Sequence, residues 1–423
     1  MASVTRSFLI AILYVCGTGT FAQTPSSPLT LEQAVAEAIE KNLVLMAEKQ
    51  NIPVAQARVL QASLRPNPML SANWDYLDWL RRGYGINNTD GPPEYNAHVD
   101  YPIERGGKRE RRIEVAEKIR SVAELRFLDT TRVLVLSVQN AFVDLLAAKE
   151  SLALAQQNLQ VFNEILTVNE AKVKAGELAG VELTRTRVAQ QQFDNAVRQA
   201  QLRVRTASNN LQTLLGRTTL APEFDIAGSL RSDPQIVLLD EIRAQALQRR
   251  PDLLAQRKDA ERAEADIRLQ KANAKWDFTI GSGFHRQYDY ANGITFGLYY
   301  TMPLPVYNRN QGEIVRAQRE YDQAGLRTRA AESSVVAEVE NAWQQYNTAK
   351  DLLQRISGQL IPEAQQVREI TEYSYRRGEA SLLEFLDAQR AYNDAIQSYN
   401  DARADYTRSL HLIDAVTGRS VNK

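Results

Sequence analysis

The chain has 423 residues, with 51 Lys+Arg balanced by 51 Asp+Glu and a single cysteine. Zero net charge excludes a whole-molecule field that would recruit nucleic acid or an anionic membrane surface. With 44% hydrophobic residues and a mean hydropathy of −0.39, the chain can bury a core. It is not a helical membrane protein, because beyond the N-terminus no stretch reaches about 18 uninterrupted apolar residues.

At the N-terminus, Arg6 precedes an apolar run over residues 8–15, and Thr20 and Ala22 set small residues before a cleavage site. This predicts an export signal over residues 1–22, cleaved after Ala22. The only cysteine, Cys16, lies inside it. A lipid-anchored Cys16 is the alternative, although bulky Val15 stands where such anchors want a small residue. A mature chain without cysteine has no disulfide staples.

The remainder reads as two structural repeats, 23–216 and 237–418, joined by an irregular connector over 217–236 and followed by a tail over 419–423. In the first repeat, Leu31, Val35, Ala38, Ile39 and Leu45 share a helical face, predicting one helix over 29–64 that Pro66 and Pro68 stop. The period then changes to two. Leu70, Ala72, Trp74 and Tyr76 alternate with polar residues in a strand expected over 68–80. Tyr95, Ala97, Val99 and Tyr101 do the same over 95–102. Between Gly107 and Gly176 there is neither glycine nor proline, so a single helix of roughly 100 Å is expected. Within it, residues 133–148 are strongly apolar, but Gln139, Asn140 and Asp144 mark a packed helix and not a membrane span. A turn at 176–181 leads to a return helix to about residue 215. On it Phe193, Val197, Ala200, Val204, Ala207, Leu211 and Leu214 step by four and three, as in a heptad seam.

The second repeat follows the same plan. A helix is expected over 239–273 and strands over 276–288 and 293–304. A long helix follows over 310–377, kinked at Pro362, then a tip at 378–383 and a final helix over 381–416. Its Tyr392, Ile396, Tyr399, Arg403, Tyr406, Leu410 and Ile413 form the second seam. The tips echo each other: Gly176 and Gly378 are each followed by glutamate, in Gly176-Glu177-Leu178 and Gly378-Glu379-Ala380. Repetition at this scale decides architecture before single residues do.

Four short strands with one apolar, aromatic face suit either a soluble two-layer sheet or part of a transmembrane β-barrel. Export, the aromatic faces and the lack of another membrane segment favour the barrel. Four strands cannot close one, so several copies must pool theirs. The attached hairpins would then form a tube continuous with the barrel. The rival class is a periplasmic coiled-coil structural protein with a small soluble sheet. An enzyme would need convergent polar groups, and none is visible. His98, His285 and His411 lack metal-ligand spacing, and no phosphate-binding loop follows a strand. His98 and His285 fall on the polar strand face, which suits a solvated pore lining. No cofactor, bound metal or nucleic-acid partner is expected.

The segment 375–389, Tyr-Arg-Arg-Gly-Glu-Ala-Ser-Leu-Leu-Glu-Phe-Leu-Asp-Ala-Gln, is similar to the second hairpin tip of TolC-type outer-membrane efflux proteins. The strand-to-helix joints 102–109 and 303–312 resemble those of the CzcC-like heavy-metal branch. The resemblance covers essentially all of the mature chain. It implies a trimer with a twelve-stranded barrel in outer-membrane lipid and a helical tunnel through the periplasm. It also implies docking to a periplasmic adaptor and an inner-membrane RND-type pump. The cargo would be heavy-metal cations, or drugs or secreted proteins in a more TolC-like duct. By residues alone, Glu384 and Asp387 lie three apart on one helix face and could be an ordinary solvated face. The resemblance makes them the periplasmic constriction, with Tyr375 and Glu182 helping to latch it. It also implies that the tips, residues Gly176, Glu177, Leu178, Gly378, Glu379 and Ala380, meet the adaptor. Ala380 stands where the family latch carries an arginine, so this closed state must be held differently.

Overall fold

A computed structural model describes residues 28–77, 94–222, 224–233, 235–286 and 293–419. The expected export signal with Cys16, the distal ends of two expected strands (78–80 and 287–288) and residues 420–423 lie outside them. The described chain is mostly helical, with one four-stranded sheet.

The single helix expected over 29–64 is three: α1 (Leu31–Lys41), α2 (Leu43–Lys49) and α3 (Asn51–Ser63). Thr30 opens α1 through a capping box with Gln33. Asn42 then interrupts the run. Its Oδ1 accepts the Leu45 amide at 3.0 Å while its Nδ2 donates to the Leu214 carbonyl at 2.9 Å. A side chain that can cap the next helix competes with continuation of the first. After β1 (Met69–Asp75) and β2 (Glu94–Ile103), α4 (Lys108–Lys174) runs for 67 residues without a break. Helix α5 (Gly180–Leu214) returns along it. The apolar stretch of α4 is long enough to cross a membrane, but 56% of that window is buried inside the protein.

In the second half, the expected helix 239–273 is likewise divided, into α6 (Leu239–Arg249) and α7 (Pro251–Asn273). Here the cause is Pro251, which disfavours helical geometry at Arg250; Arg250 is extended, with ψ 122°. Its guanidinium, 2% exposed, is held by Asp252 at 2.5 Å and Glu338 at 2.6 Å. Strands β3 (Phe278–Arg286) and β4 (Ile294–Thr301) follow. The expected helix 310–377 is α8 (Gln311–Arg355), a five-residue π turn (Ile356–Leu360) and α9 (Ile361–Arg377). Pro362 has no amide to continue the α-helical ladder, and the shift to π bonding just before it absorbs the defect. Helix α10 (Leu382–Val416) ends the described fold.

The sheet is antiparallel in the order β1-β2-β3-β4. Its register puts Leu70, Val99, Ser282 and Leu298 in one row, and Ala72, Ala97, Phe284 and Phe296 in the next. This face is exposed, Phe296 and Leu298 by 88% and 87%. The opposite face carries Asn73, Asn96, His98, Asp100, His285 and Thr295.

Buried side chains gather in three places along the helices. Leu253, Val339, Tyr346, Tyr406 and Ile413 form one cluster among α6, α7, α8 and α10. Ala38, Phe142, Leu145 and Leu211 form another among α1, α4 and α5. The third, with Phe162 and Phe385, lies near the tips. Both heptad seams supply buried residues to them, including Leu211 on α5 and Leu410 on α10.

One contact recurs in both halves and escaped the sequence reading. Gly216 and Gly418 end the two return helices with φ of +78° and +73°. Gly216 presses on the carbonyl of Lys41 at the end of α1, where a Cβ would overlap it. A Cβ on Gly418 would approach the carbonyl of Arg249, at the end of α6, to 3.1 Å. Gly378 is also left-handed, at φ +81°, but faces open space. Gly378→Ala should therefore cost only backbone strain, about 1–3 kcal/mol. Gly216→Ala should cost that plus displacement of α1, and should show the larger fall in melting temperature by circular dichroism.

Candidate functional site

The tips are built by glycine-ended helices. At the first, the Glu177 amide donates to the Lys172 carbonyl at 2.9 Å; at the second, the Glu379 amide donates to Ser374 at 2.9 Å. Both are Schellman closures around a left-handed glycine. Gly176, Glu177, Gly378 and Glu379 are exposed, and Leu178 and Ala380 half-buried.

Glu384 and Asp387 sit in the first two turns of α10, both exposed. Glu384 is the N3 residue of a capping box, accepting the Ser381 amide at 2.7 Å and its hydroxyl at 2.9 Å. These bonds hold its carboxyl below the usual range. The stabilisation is present above the unfolded pKa and is lost as pH falls through the lowered folded value. Asp387 meets Arg390 only at 3.8 Å, with both side chains mostly in solvent, an arrangement worth little. Glu182 pairs with Arg185 of its own helix at 2.7 Å. None of the three acids bonds across the hairpins.

Tyr375 does. Its hydroxyl meets the side chain of Asn169 on α4, accepting from Nδ2 at 2.9 Å and donating to Oδ1 at 3.1 Å. Asn169, 1% exposed, also donates to the Thr186 hydroxyl on α5 at 2.9 Å. Burial pushes the Tyr375 phenol up, opposed by the Asn169 bond and aided by the nearby charge of Glu182. The Tyr375 ring stacks on Phe385 (centroids 5.4 Å, interplanar angle 11°). Phe385 lies 6.1 Å from Phe162, which stacks on Phe193 at 4.3 Å. One aromatic column thus joins α9, α10, α4 and α5. Higher up, Gln389 Nε2 donates to Asn158 at 3.1 Å in a second buried amide contact. Beyond it the α4–α10 seam becomes charged, through Glu150–Arg403 and Asp144–Arg408.

Tyr375, Glu182, Glu384 and Asp387 therefore belong to one tip region, but the bonded hub is Tyr375 with Asn169 and Thr186. The sequence reading missed the latter two. A signal existed: in an otherwise apolar seam, an asparagine and a threonine at buried positions need partners.

Of the histidines, His98 contacts Asp100 at 3.0 Å and stacks on Tyr299 at 4.6 Å, and His285 lies 3.6 Å from Glu94. Both are on the polar sheet face. His411 is buried in α10, where desolvation lowers its pKa. Among the described residues, no group of three or more His, Cys, Asp or Glu side chains converges as a metal site.

A family model described as "Outer membrane efflux protein" matches residues 34–217 and 242–419. The chain belongs to the outer membrane efflux protein family. The cobalt-zinc-cadmium resistance protein CzcC of Cupriavidus metallidurans is 26% identical over 400 residues, covering 94% of this chain and 92% of that protein. The nickel-cobalt-cadmium resistance protein NccC of Alcaligenes xylosoxydans xylosoxydans is 26% identical over 347 residues, covering 78% and 73%. In fold, the outer membrane protein VceC of Vibrio cholerae superposes with a TM-score of 0.74 at 17% identity, covering 92% of this chain and 96% of that one. The protein is an outer-membrane efflux channel, the exit component of a tripartite efflux system. The family is one of outer-membrane efflux channels, which are not enzymes.

The hub generates a direct test. Tyr375→Phe keeps the stacked ring but leaves the buried Asn169 amide short of a partner, a loss of about 1–3 kcal/mol. Hydrogen exchange in the last turns of α9 should accelerate by roughly tenfold or more, while the upper α10 seam stays protected.

Proposed function

We propose that three copies of this chain pool their strands into a twelve-stranded barrel in outer-membrane lipid, with the helical hairpins forming a periplasmic tunnel beneath it. The observation that carries this reading is the sheet itself. It pairs an exposed apolar face with a polar one, and the outer edges of β1 and β4 meet no further strand among the described residues. In lipid such edges must be paired, and only further copies supply the strands. The twofold match of the family model, and the matching contacts of Gly216 and Gly418, support two related halves in each chain, 23–216 and 237–418.

The cargo we assign is divalent heavy-metal cations, conducted passively after delivery by an inner-membrane RND-type pump and a periplasmic adaptor. The metal-resistance names of the two relatives support this class. The tips around Gly176, Glu177, Leu178 and Gly378, Glu379, Ala380 would meet the adaptor. Glu384 and Asp387 would ring the constriction and favour cations. Tyr375 and Glu182 would belong to the closing latch. With Ala380 unable to supply a cation, the neutral Asn169–Tyr375–Thr186 hub takes the holding role.

The purified protein should require detergent and run as a heat-sensitive trimer. In planar bilayers it should give cation-selective currents. Monodisperse behaviour without detergent, together with no conductance, would refute the channel architecture. Glu384→Gln combined with Asp387→Asn keeps the cap and removes the charge. It should shift the reversal potential toward non-selectivity; an unchanged potential would remove these residues from the constriction. A deletion strain should become sensitive to cobalt, zinc or cadmium salts, whereas sensitivity to organic toxicants alone would reassign the cargo.

A further inference from the structure

The chain passes between sheet and helices four times, at residues 64–68, 104–107, 274–277 and 302–310. These joints concentrate cations that the balanced total charge conceals. Their acids are largely used internally. Asp277 accepts the Arg105 amide at 2.8 Å and the Lys108 ammonium at 2.7 Å, and Glu104 pairs with Arg112. Glu110, exposed at the start of α4, contributes to the field around Arg112.

Four exposed cations are left without a carboxylate. The side chains of Arg65 and Lys275 form no hydrogen bond or ion pair among the described residues. The Arg309 guanidinium donates to the Pro305 carbonyl, at 3.2 Å, and to no carboxylate among the described residues. The Arg105 guanidinium lies over the Trp276 ring, 4.2 Å from its centroid. Their height matters as much as their charge. The register pairs Tyr101 with Ile280 and Ile103 with Phe278 on the apolar face, and Arg105 and Trp276 are the next residues in those two columns. Below β4, Leu304 and Tyr307 are 72% and 90% exposed. The order down the outer face is therefore aliphatic and aromatic side chains, then an aromatic and cationic collar. That is the order of a hydrocarbon layer meeting its headgroups.

We propose that this collar is a docking surface for anionic phospholipid headgroups of the periplasmic leaflet, with Arg65, Arg105, Lys275 and Arg309 receiving the phosphates. The inference rests on the barrel reading. Arginine forks match phosphate oxygens in pairs, and lysine supplies a point charge. The collar also fixes the height of the sheet in the membrane, because apolar side chains above it and unpaired charge below it resist displacement in either direction.

The test uses the full mature protein in nanodiscs made from equimolar phosphatidylglycerol and phosphatidylcholine, with retained lipid read by native mass spectrometry. The wild type should keep phosphatidylglycerol over phosphatidylcholine by roughly threefold or more, and the preference should shrink at high salt. Arg65→Gln with Lys275→Gln, which breaks no hydrogen bond or ion pair among the described residues, should reduce it. Adding Arg105→Gln and Arg309→Gln should bring the ratio to about one while the heat-sensitive oligomer persists. Equal retention of both lipids by the wild type, or undiminished preference in the fourfold variant, would overturn the proposal and leave the barrel standing. Failure of the wild type to enter nanodiscs would overturn both.

Discussion

Unpaired backbone at the two edges of a small sheet governs this molecule. Strands β1 and β4 each present one row of amides and carbonyls that no other strand among the described residues meets. The same sheet exposes a nearly continuous apolar face. In water, such a sheet would be a hazard for uncontrolled pairing; in lipid, it can exist only when closed. The helices inherit the consequence. Under the proposed closure, the symmetry that pairs the strands also arranges the hairpins that follow them. A 67-residue helix such as α4 finds its burial in separate clusters spaced along its length and not in one globular core.

Along these helices the character of the contacts changes toward the tips. Charged pairs between α4 and α10 hold the upper seam, through Glu150–Arg403 and Asp144–Arg408. Near the tips the seam turns neutral, with the buried Asn158–Gln389 contact and the Asn169–Tyr375–Thr186 hub. Neutral hydrogen bonds are less sensitive to salt and pH than exposed ion pairs. The halves also differ in helical continuity. Helix α4 is unbroken, whereas its counterpart passes through a π turn before α9, and π turns often mark functional sites. The acids that attract attention in the sequence are occupied locally: Glu384 caps its own helix and Glu182 pairs with Arg185. At the hub, the hydroxyl and amide groups carry the connection.

The sheet and the long helices were readable because both follow from local periodicity. Alternation at residues 70–76 and 95–101, and the absence of helix breakers between 107 and 176, describe the strand faces and α4 directly. The breaks at Asn42 and Arg250 were not readable from the same pattern. The first depends on the Leu214 carbonyl arriving from α5. The second has a local cause in Pro251, but burial of Arg250 depends on Glu338 from α8. The π turn was anticipated only as a kink at Pro362, since a proline marks the defect without specifying how the ladder repairs it.

The sequence by itself determined the periods, the two glycine-marked tips, the polar and apolar strand faces and the family, because each is written in neighbouring residues. Only the tertiary structure decided which side chains meet. It chose Asn169, 206 residues from Tyr375, as its partner, and it set Gly216 and Gly418 against the ends of α1 and α6. Contacts between segments so distant depend on the helical phase and stagger of whole helices. A buried amide is satisfied by whatever group that packing delivers.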